Sequence, residues 1–230
     1  DPAHRPTKAQ YDRYLWLVEH FRSLGWDNSK LHDASPFQIV DPGFNAILIR
    51  GCADLAVVAE ALGESEIAAA NRARAEKGLA ALERLWSERH GQYLCLDRTT
   101  GNLVDSASIG GLLPVFAAIP AERARTIART IERMGERAKY LVPSHDPTDA
   151  RFDSKRYWRG PVWLVCNYLV VDGLAAAGEK TVADRIIASS LELIEQSGFA
   201  EYYDPMTGEP LGGGRFTWTA AMVLEFLDWA

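Results

Sequence analysis

Two kinds of helical segment alternate along this chain, and the alternation limits the architectures open to it. One kind is amphipathic: Tyr11, Tyr14, Leu15, Val18 and Phe21; Leu79, Leu82, Leu85 and Trp86 within 66–89; Ile127, Ile131 and Met134; and Ile187, Leu191 and Ile194. Each set makes an apolar stripe opposite a charged face. The other kind is apolar nearly all round, over about 44–61, 107–118, 161–177 and 216–227, and has to be buried on most sides. The order wet, buried, wet, buried, four times over, predicts an all-α, two-layer ring of helix pairs with the apolar helices inside. A closed toroid of this kind usually has about six pairs. Residues 1–230 therefore read as one portion of a single barrel, about four of six pairs, with the N-terminal pairs missing. Asp1-Pro2-Ala3-His4 carries no initiator Met, in keeping with a further segment upstream.

The connections favour the same ring. Buried-to-wet links are short, at Gly63-Glu64-Ser65, Ile119-Pro120-Ala121 and Gly178-Glu179-Lys180, whereas wet-to-buried links are long, at 25–43, 90–106, 135–160 and 197–215. In a ring of antiparallel pairs all the long links emerge on one face, which is where function is expected. Two of them contain a repeat at an offset of about 107 residues: Gly91 through Asp97-Arg98-Thr99-Thr100-Gly101 matches Gly198 through Asp204-Pro205-Met206-Thr207-Gly208. Each copy reads as a short hairpin whose Asp caps backbone amides and whose last Gly takes a positive φ, so Asp97 and Asp204 are expected to be structural.

Composition excludes several classes. Lys and Arg number 25 against 31 Asp and Glu, a formal charge of −6 without a basic cluster, which argues against nucleic acid and anionic membranes as partners. No stretch is long and apolar enough for a transmembrane helix, and residues 1–30 lack a signal-peptide pattern. Cys52, Cys95 and Cys166 are far apart and odd in number, as expected of reduced, buried thiols in a cytoplasmic protein. His4, His20, His32, His90 and His145 show no metal-ligand spacing, and no metal or cofactor is expected. Exposed apolar positions on the outer helices would tolerate a homo-oligomer.

Chemistry concentrates in two segments of the elaborated face. Tyr157-Trp158-Arg159-Gly160-Pro161-Val162-Trp163 stands at the mouth of a buried helix, where Pro161 suits a first helical turn and Gly160 allows close approach of backbone or ligand. Its aromatic rings either plug the barrel or form a platform for the C–H face of a sugar, and Arg159 either binds a carboxylate in a fork or pairs with a nearby acid. In Gly198-Phe199-Ala200-Glu201-Tyr202-Tyr203-Asp204, Glu201 stands alone among aromatic rings, which suits proton transfer; the plainer alternative is a salt-bridged loop residue. Trp218 faces the same side, after a Gly212-Gly213-Gly214 run that reads as a flexible hinge. Asp27, in Gly25-Trp26-Asp27-Asn28-Ser29, is expected to cap a helix end or turn.

Taken together, Tyr157-Trp158-Arg159-Gly160-Pro161-Val162-Trp163 with Asn167-Tyr168-Leu169, Glu201-Tyr202-Tyr203-Asp204-Pro205-x-Thr207-Gly208 and Phe216-Thr217-Trp218-Thr219-Ala220-Ala221 resemble glycoside hydrolase family 63. The resemblance lies in the branch of mannosylglycerate and glucosylglycerate hydrolases. It extends to Arg5-Pro6-Thr7, Tyr11-Asp12-Arg13-Tyr14, Ser35-Pro36-Phe37 and Asp41-Pro42-x-Phe44-Asn45, and so covers the whole chain. It implies an (α/α)6 barrel that hydrolyses the α-glycosidic bond of a small glycosylated acid with inversion. Glu201 falls on the family's general base; Tyr157, Trp158, Trp163 and Trp218 fall on residues that shape the sugar subsite. His4, Arg5 and Arg159 are candidates to meet the carboxylate of a glyceric-acid aglycone.

Inversion requires a second carboxyl group about 6.5–9.5 Å from the base. The family places this acid in a Gly-x-Asp-Asn-Ser-Pro motif upstream of the segment matching Arg5-Pro6-Thr7. Gly25-Trp26-Asp27-Asn28-Ser29-Lys30 imitates the motif but lies downstream, with Lys30 in place of Pro. Asp27 is therefore a look-alike, the true acid is expected upstream of Asp1, and this chain by itself is expected to be nearly inactive. Three alternatives remain at this point: a binding or structural remnant of such a barrel, a trehalase- or glucosidase-like enzyme for another α-glucoside, and a self-sufficient enzyme using Asp27.

Overall fold

The computed structural model describes residues 6–229. The described chain is mainly helical. Helix α1 spans Lys8–Ser23, α2 Asn28–Ala34, α3 Pro42–Ala61, α4 Ser65–Leu82, α5 Ala121–Met134, α6 Leu164–Ala176, α7 Lys180–Ser197 and α8 Thr217–Trp229. Three small antiparallel sheets fill the long links. β1 (Ile39–Val40), β4 (Leu96–Asp97) and β5 (Asn102–Leu103) form one, β2 (Trp86–Ser87) and β3 (Gln92–Tyr93) another, and β6 (Ala200–Tyr203) with β7 (Pro210–Gly214) the third.

Two helix pairs of the kind predicted are visible among the described residues. α3 and α4 form a hairpin through Gly63, and α4 crosses so close that a Cβ on Gly78 would lie 2.5 Å from the Ile49 side chain. α6 and α7 form another through Gly178. The core sits between α5, α6 and α7, where Ile127, Ile131, Met134, Leu174, Ile186 and Leu193 are at most 2 % exposed. A buried polar knot ties α6 to the strand-like segment before it. Asn167 accepts from the Val142 N–H at 3.1 Å and donates to the Leu141 carbonyl and the Ser190 hydroxyl, both at 2.9 Å.

Four expectations change. The apolar run 107–118 is not an α-helix but two short 3₁₀ turns, Ile109–Gly111 and Leu113–Ala117. Pro114 interrupts helical hydrogen bonding, and the backbone at Gly111 passes where a Cβ would sit 2.0 Å from the Tyr93 carbonyl oxygen. Helix α6 starts at Leu164 rather than 161, because Val162 is held in extended form by mutual N–H···O bonds with Tyr203 of 2.8 and 3.0 Å; Pro161 therefore lies outside the helix. The first long link contains a short helix, α2. Finally, burial is uneven: α3 leaves Phe44, Leu48 and Val57 64–79 % exposed, and α1 buries no residue, so Tyr11, Tyr14, Leu15 and Val18 stand about half exposed. The partners of α3, α4 and the Ile109–Ala117 turns, cover only one of its sides.

The thiols are unpaired. Cys166 is buried, whereas Cys52 and Cys95 are half-buried rather than buried as expected. Burial pushes Cys166 up to about 12, and burial together with the neighbouring Asp41 carboxylate pushes Cys95 up to about 12, so neither is a ready nucleophile. Among the described residues no helix is long and apolar enough to cross a membrane.

Candidate active site

The β6–β7 hairpin places Glu201. Its register pairs Tyr203 with Pro210, Tyr202 with Leu211 and Ala200 with Gly214, so Gly212 and Gly213 both stand opposite Glu201. This is a β-bulge, which bends a strand and re-aims a side chain. The glycine run is thus a paired strand and not the hinge the sequence suggested. Alternate residues of β6 would face opposite sides, and the bulge leaves Glu201 half-buried between the buried Ala200 and Tyr202. The Glu201 Oε1 accepts the Tyr157 hydroxyl at 2.8 Å, and its Oε2 accepts the Gly213 N–H at 3.2 Å.

Tyr157 arrives from the segment before α6. The Val162–Tyr203 bridge stitches that segment to β6, and the Gly160 carbonyl takes the Ser144 N–H at 3.1 Å. The turn leaves Tyr157 at φ 25°, a region costing a side-chain-bearing residue about 1–3 kcal/mol. In that conformation its carbonyl accepts the Trp163 indole N–H at 3.0 Å, which satisfies a polar group on a nearly buried ring.

Three rings then stack in series. Trp158 lies 4.3 Å from Trp163 at 13°, and Trp163 lies 4.7 Å from Tyr202 at 23°. Tyr157 meets all three edge-on, at 5.8, 4.8 and 5.1 Å between ring centroids. Trp163 and Tyr202 are 3 and 2 % exposed, whereas Trp158 is 48 % exposed. The inner rings therefore fill the core, as the plug reading expects, whereas the outer ring is half exposed.

Arg159 and Gly160 follow Trp158 in the same turn, and Trp218 lies at the start of α8. Arg159 is on the rim, 3.9 Å from Asp153, with 44 % of its side chain exposed. Gly160 is buried, and a Cβ there would fall 2.3 Å from the Asp153 carbonyl oxygen. It is a packing residue beneath the turn, and of the two kinds of close approach expected at this glycine the structure uses the backbone one. Trp218, in the first turn of α8, is 59 % exposed and meets Phe216 edge-on at 5.8 Å. His4 and Arg5 lie outside the described residues.

The acidic residues expected to be structural are so. Asp97 accepts from the Thr99 N–H and hydroxyl at 2.8 and 2.6 Å, and Asp204 accepts from the Met206 N–H at 2.7 Å, with Gly101 and Gly208 at positive φ. Asp41 caps α3 through the Phe44 N–H. Asp27 caps α2: its Oδ1 accepts the Ser29 N–H at 3.0 Å and hydroxyl at 2.7 Å, and these bonds hold its carboxyl below the ordinary value. An acid so stabilised in its anionic form is poorly suited to protonate a leaving group. Sequence reasoning missed Tyr202 as a stack member and the two glycines as partners of Glu201. The signal was available for Gly212, since residues equidistant from a hairpin's turn oppose one another, whereas Gly213 joins it only through the bulge.

Residues 2–219 match the family model described as the mannosylglycerate hydrolase MGH1-like glycoside hydrolase domain. The chain belongs to this family of glycoside hydrolases. The mannosylglycerate hydrolase of Thermus thermophilus is 43 % identical to this chain over 225 residues, which span 97 % of the chain and 54 % of that protein. The glucosylglycerate hydrolase of Mycolicibacterium hassiacum is 33 % identical over 247 residues, 99 % of the chain and 52 % of that protein. The crystal structure of the family 63 mannosylglycerate hydrolase from Thermus thermophilus, in complex with Tris and D-glycerate, matches with a TM-score of 0.94 at 42 % identity. That match covers 99 % of this chain and 55 % of the other. The resemblance to glycoside hydrolase family 63 read from the motifs is thus borne out. The chain spans about half the length of these relatives.

Proposed function

We propose that this glycoside hydrolase chain supplies the water-activating side of an inverting site that cleaves the α-glycosidic bond of a small glycosylated acid such as glucosylglycerate or mannosylglycerate. The observation that carries the proposal is the placement of Glu201. Its carboxylate stands beside an aromatic stack whose outer ring, Trp158, is open, and it is oriented by donors from two separate segments. In the proposed mechanism the sugar rests on Trp158. Glu201 accepts a proton from a water molecule as that water attacks the anomeric carbon from the face opposite the departing oxygen. A second carboxyl group, about 6.5–9.5 Å away, gives its proton to that oxygen. One carboxylate cannot serve on both faces, so the acid is proposed to come from an upstream part of the same polypeptide.

The exposed apolar sides of α3 and α8, with Phe44 and Leu224 at 79 and 70 %, support a complementary set of helix pairs completing an (α/α)6 barrel with the four-pair portion here. Arg159, only loosely held by Asp153, is proposed to meet the glycerate carboxylate. The unpaired thiols support action in the cytoplasm. The test is to join this chain to its upstream sequence, supply each glycosylglycerate and follow the product by NMR. The β-anomer of the free sugar should appear first and then mutarotate; first appearance of the α-anomer, or no hydrolysis, would contradict the proposal.

A further inference from the structure

The segments that flank Glu201 suggest how its carboxylate is kept in register, an inference that rests on its role as the base. The β-bulge puts two glycines opposite one glutamate, and the two differ sharply in surroundings. Gly212 has φ +72°, and a Cβ there would lie 2.4 Å from Glu201 Oε2, 2.7 Å from the Tyr202 ring and 2.8 Å from the Glu201 Cβ. A Cβ on Gly213 would meet only the Phe216 ring, at 3.9 Å. The carboxylate thus lies over a backbone position that has room for it only because that position has no side chain. From there Oε2 reaches the Gly213 N–H, and Oε1 reaches the Tyr157 hydroxyl.

We infer that Gly212, the Gly213 N–H and the Tyr157 hydroxyl form a clamp that positions the Glu201 carboxylate, with the bare α-carbon of Gly212 as the part that makes the clamp possible. The two donors arrive from chain segments 44 and 12 residues from Glu201 and take one oxygen each. Rotation of the carboxylate about its last bond would break both contacts. Each oxygen keeps a further lone-pair direction for the water it activates. Tyr157 is itself fixed, since its carbonyl holds the Trp163 indole N–H.

The experiment measures kcat and KM separately for four variants of the chain joined to its upstream sequence: Gly212→Ala, Tyr157→Phe, Gly178→Ala and Glu201→Gln. Gly212→Ala and Tyr157→Phe are expected to lower kcat about 10- to 100-fold, because displacing a reacting group by an ångström costs up to about 10²-fold. For Gly212→Ala KM should stay within about twofold, since the Trp158 platform is untouched. Gly178, at φ +87° with no atom within 4 Å of where a Cβ would stand, controls for backbone strain: its alanine variant should lower the melting temperature without lowering kcat. If Gly212→Ala does not fold, Tyr157→Phe decides. Unchanged kcat in both, with Glu201→Gln inactive, overturns the clamp and leaves the base in place. An active Glu201→Gln overturns both.

Discussion

The two copies of the internal repeat share one turn and differ in everything attached to it. In the first, Leu96 pairs with Leu103 and Asp97 with Asn102; in the second, Tyr202 pairs with Leu211 and Tyr203 with Pro210. At the constant offset of about 107 residues, Leu94 occupies the place of Glu201 and Asp105 that of Gly212. Leu94 is 4 % exposed and donates its N–H to the Leu85 carbonyl, so the first copy anchors a strand in the core. Asp105 is paired with Arg89 and His90, at 3.4 and 2.9 Å, and its carbonyl takes the Arg151 guanidinium. The second copy has glycine in that position, with no side chain to pair, and an acid held beside an aromatic stack. A hairpin turn is scaffolding in both, while the legs carry a core anchor in one copy and a carboxylate beside stacked rings in the other.

The contrast is sharpest under substitution of the equivalent residues. Leu94→Ala should destabilise the fold by about 2–5 kcal/mol through an unfilled core position, measured by chemical denaturation. Glu201→Ala, one repeat later, should leave the denaturation midpoint nearly unchanged, because its carboxylate is half-buried and bonded only at its tip. Equal effects at the two positions would break the distinction between them.

The capping aspartates should separate next. Asp204 is 2 % exposed and also accepts the Ser154 hydroxyl at 3.0 Å, so Asp204→Ala removes two part-buried hydrogen bonds and should cost about 1–3 kcal/mol. Asp97 is more open, and Asp97→Ala should lower the melting temperature less in the same measurement.

The smallest effect concerns acid. Near the first copy, burial lowers His145 below the ordinary histidine value, and the bonded Arg151 guanidinium holds Asp149 well below the usual carboxylate range. Both groups bind protons more readily in the unfolded chain, so each contributes stability that is full above its unfolded value and falls with pH. The His145 contribution should be lost as pH drops from about 6.5 through its lowered folded value, and that of Asp149 from about 4 downward. Melting curves against pH should therefore show an upper stage that disappears in His145→Gln.

Much of this was readable from residue order. Periodicity located the core face of α5, with Ile127, Ile131 and Met134 buried as the stripe required, whereas the helix expected over 66–89 ends at Leu82, and Leu85 and Trp86 fall in a 3₁₀ turn and a short strand. The Asp-x-x-Thr-Gly turns followed from side-chain capping alone. What failed did so where tertiary contacts override a local pattern. Gly111 and Pro114 turned an apolar run into 3₁₀ turns, because packing against Tyr93 left no room for a regular helix. The stripe of α1 and the second side of α3 carry the same hydrophobic signal as a core, yet no described element covers them. At the site, motif and chemistry together brought out Glu201, Tyr157, Trp158 and Trp163. The bulge that joins glutamate to glycine stayed hidden because three consecutive glycines suggest freedom, whereas here one of them is held at a position only glycine fits.

The most direct measurement is the turnover of Glu201→Gln on glucosylglycerate and mannosylglycerate, with the chain joined to its upstream sequence. Removing a general base should lower kcat by about 10²–10⁴-fold while KM and the melting temperature remain near those of the parent. Turnover within about threefold of the parent would show that some other group activates the water.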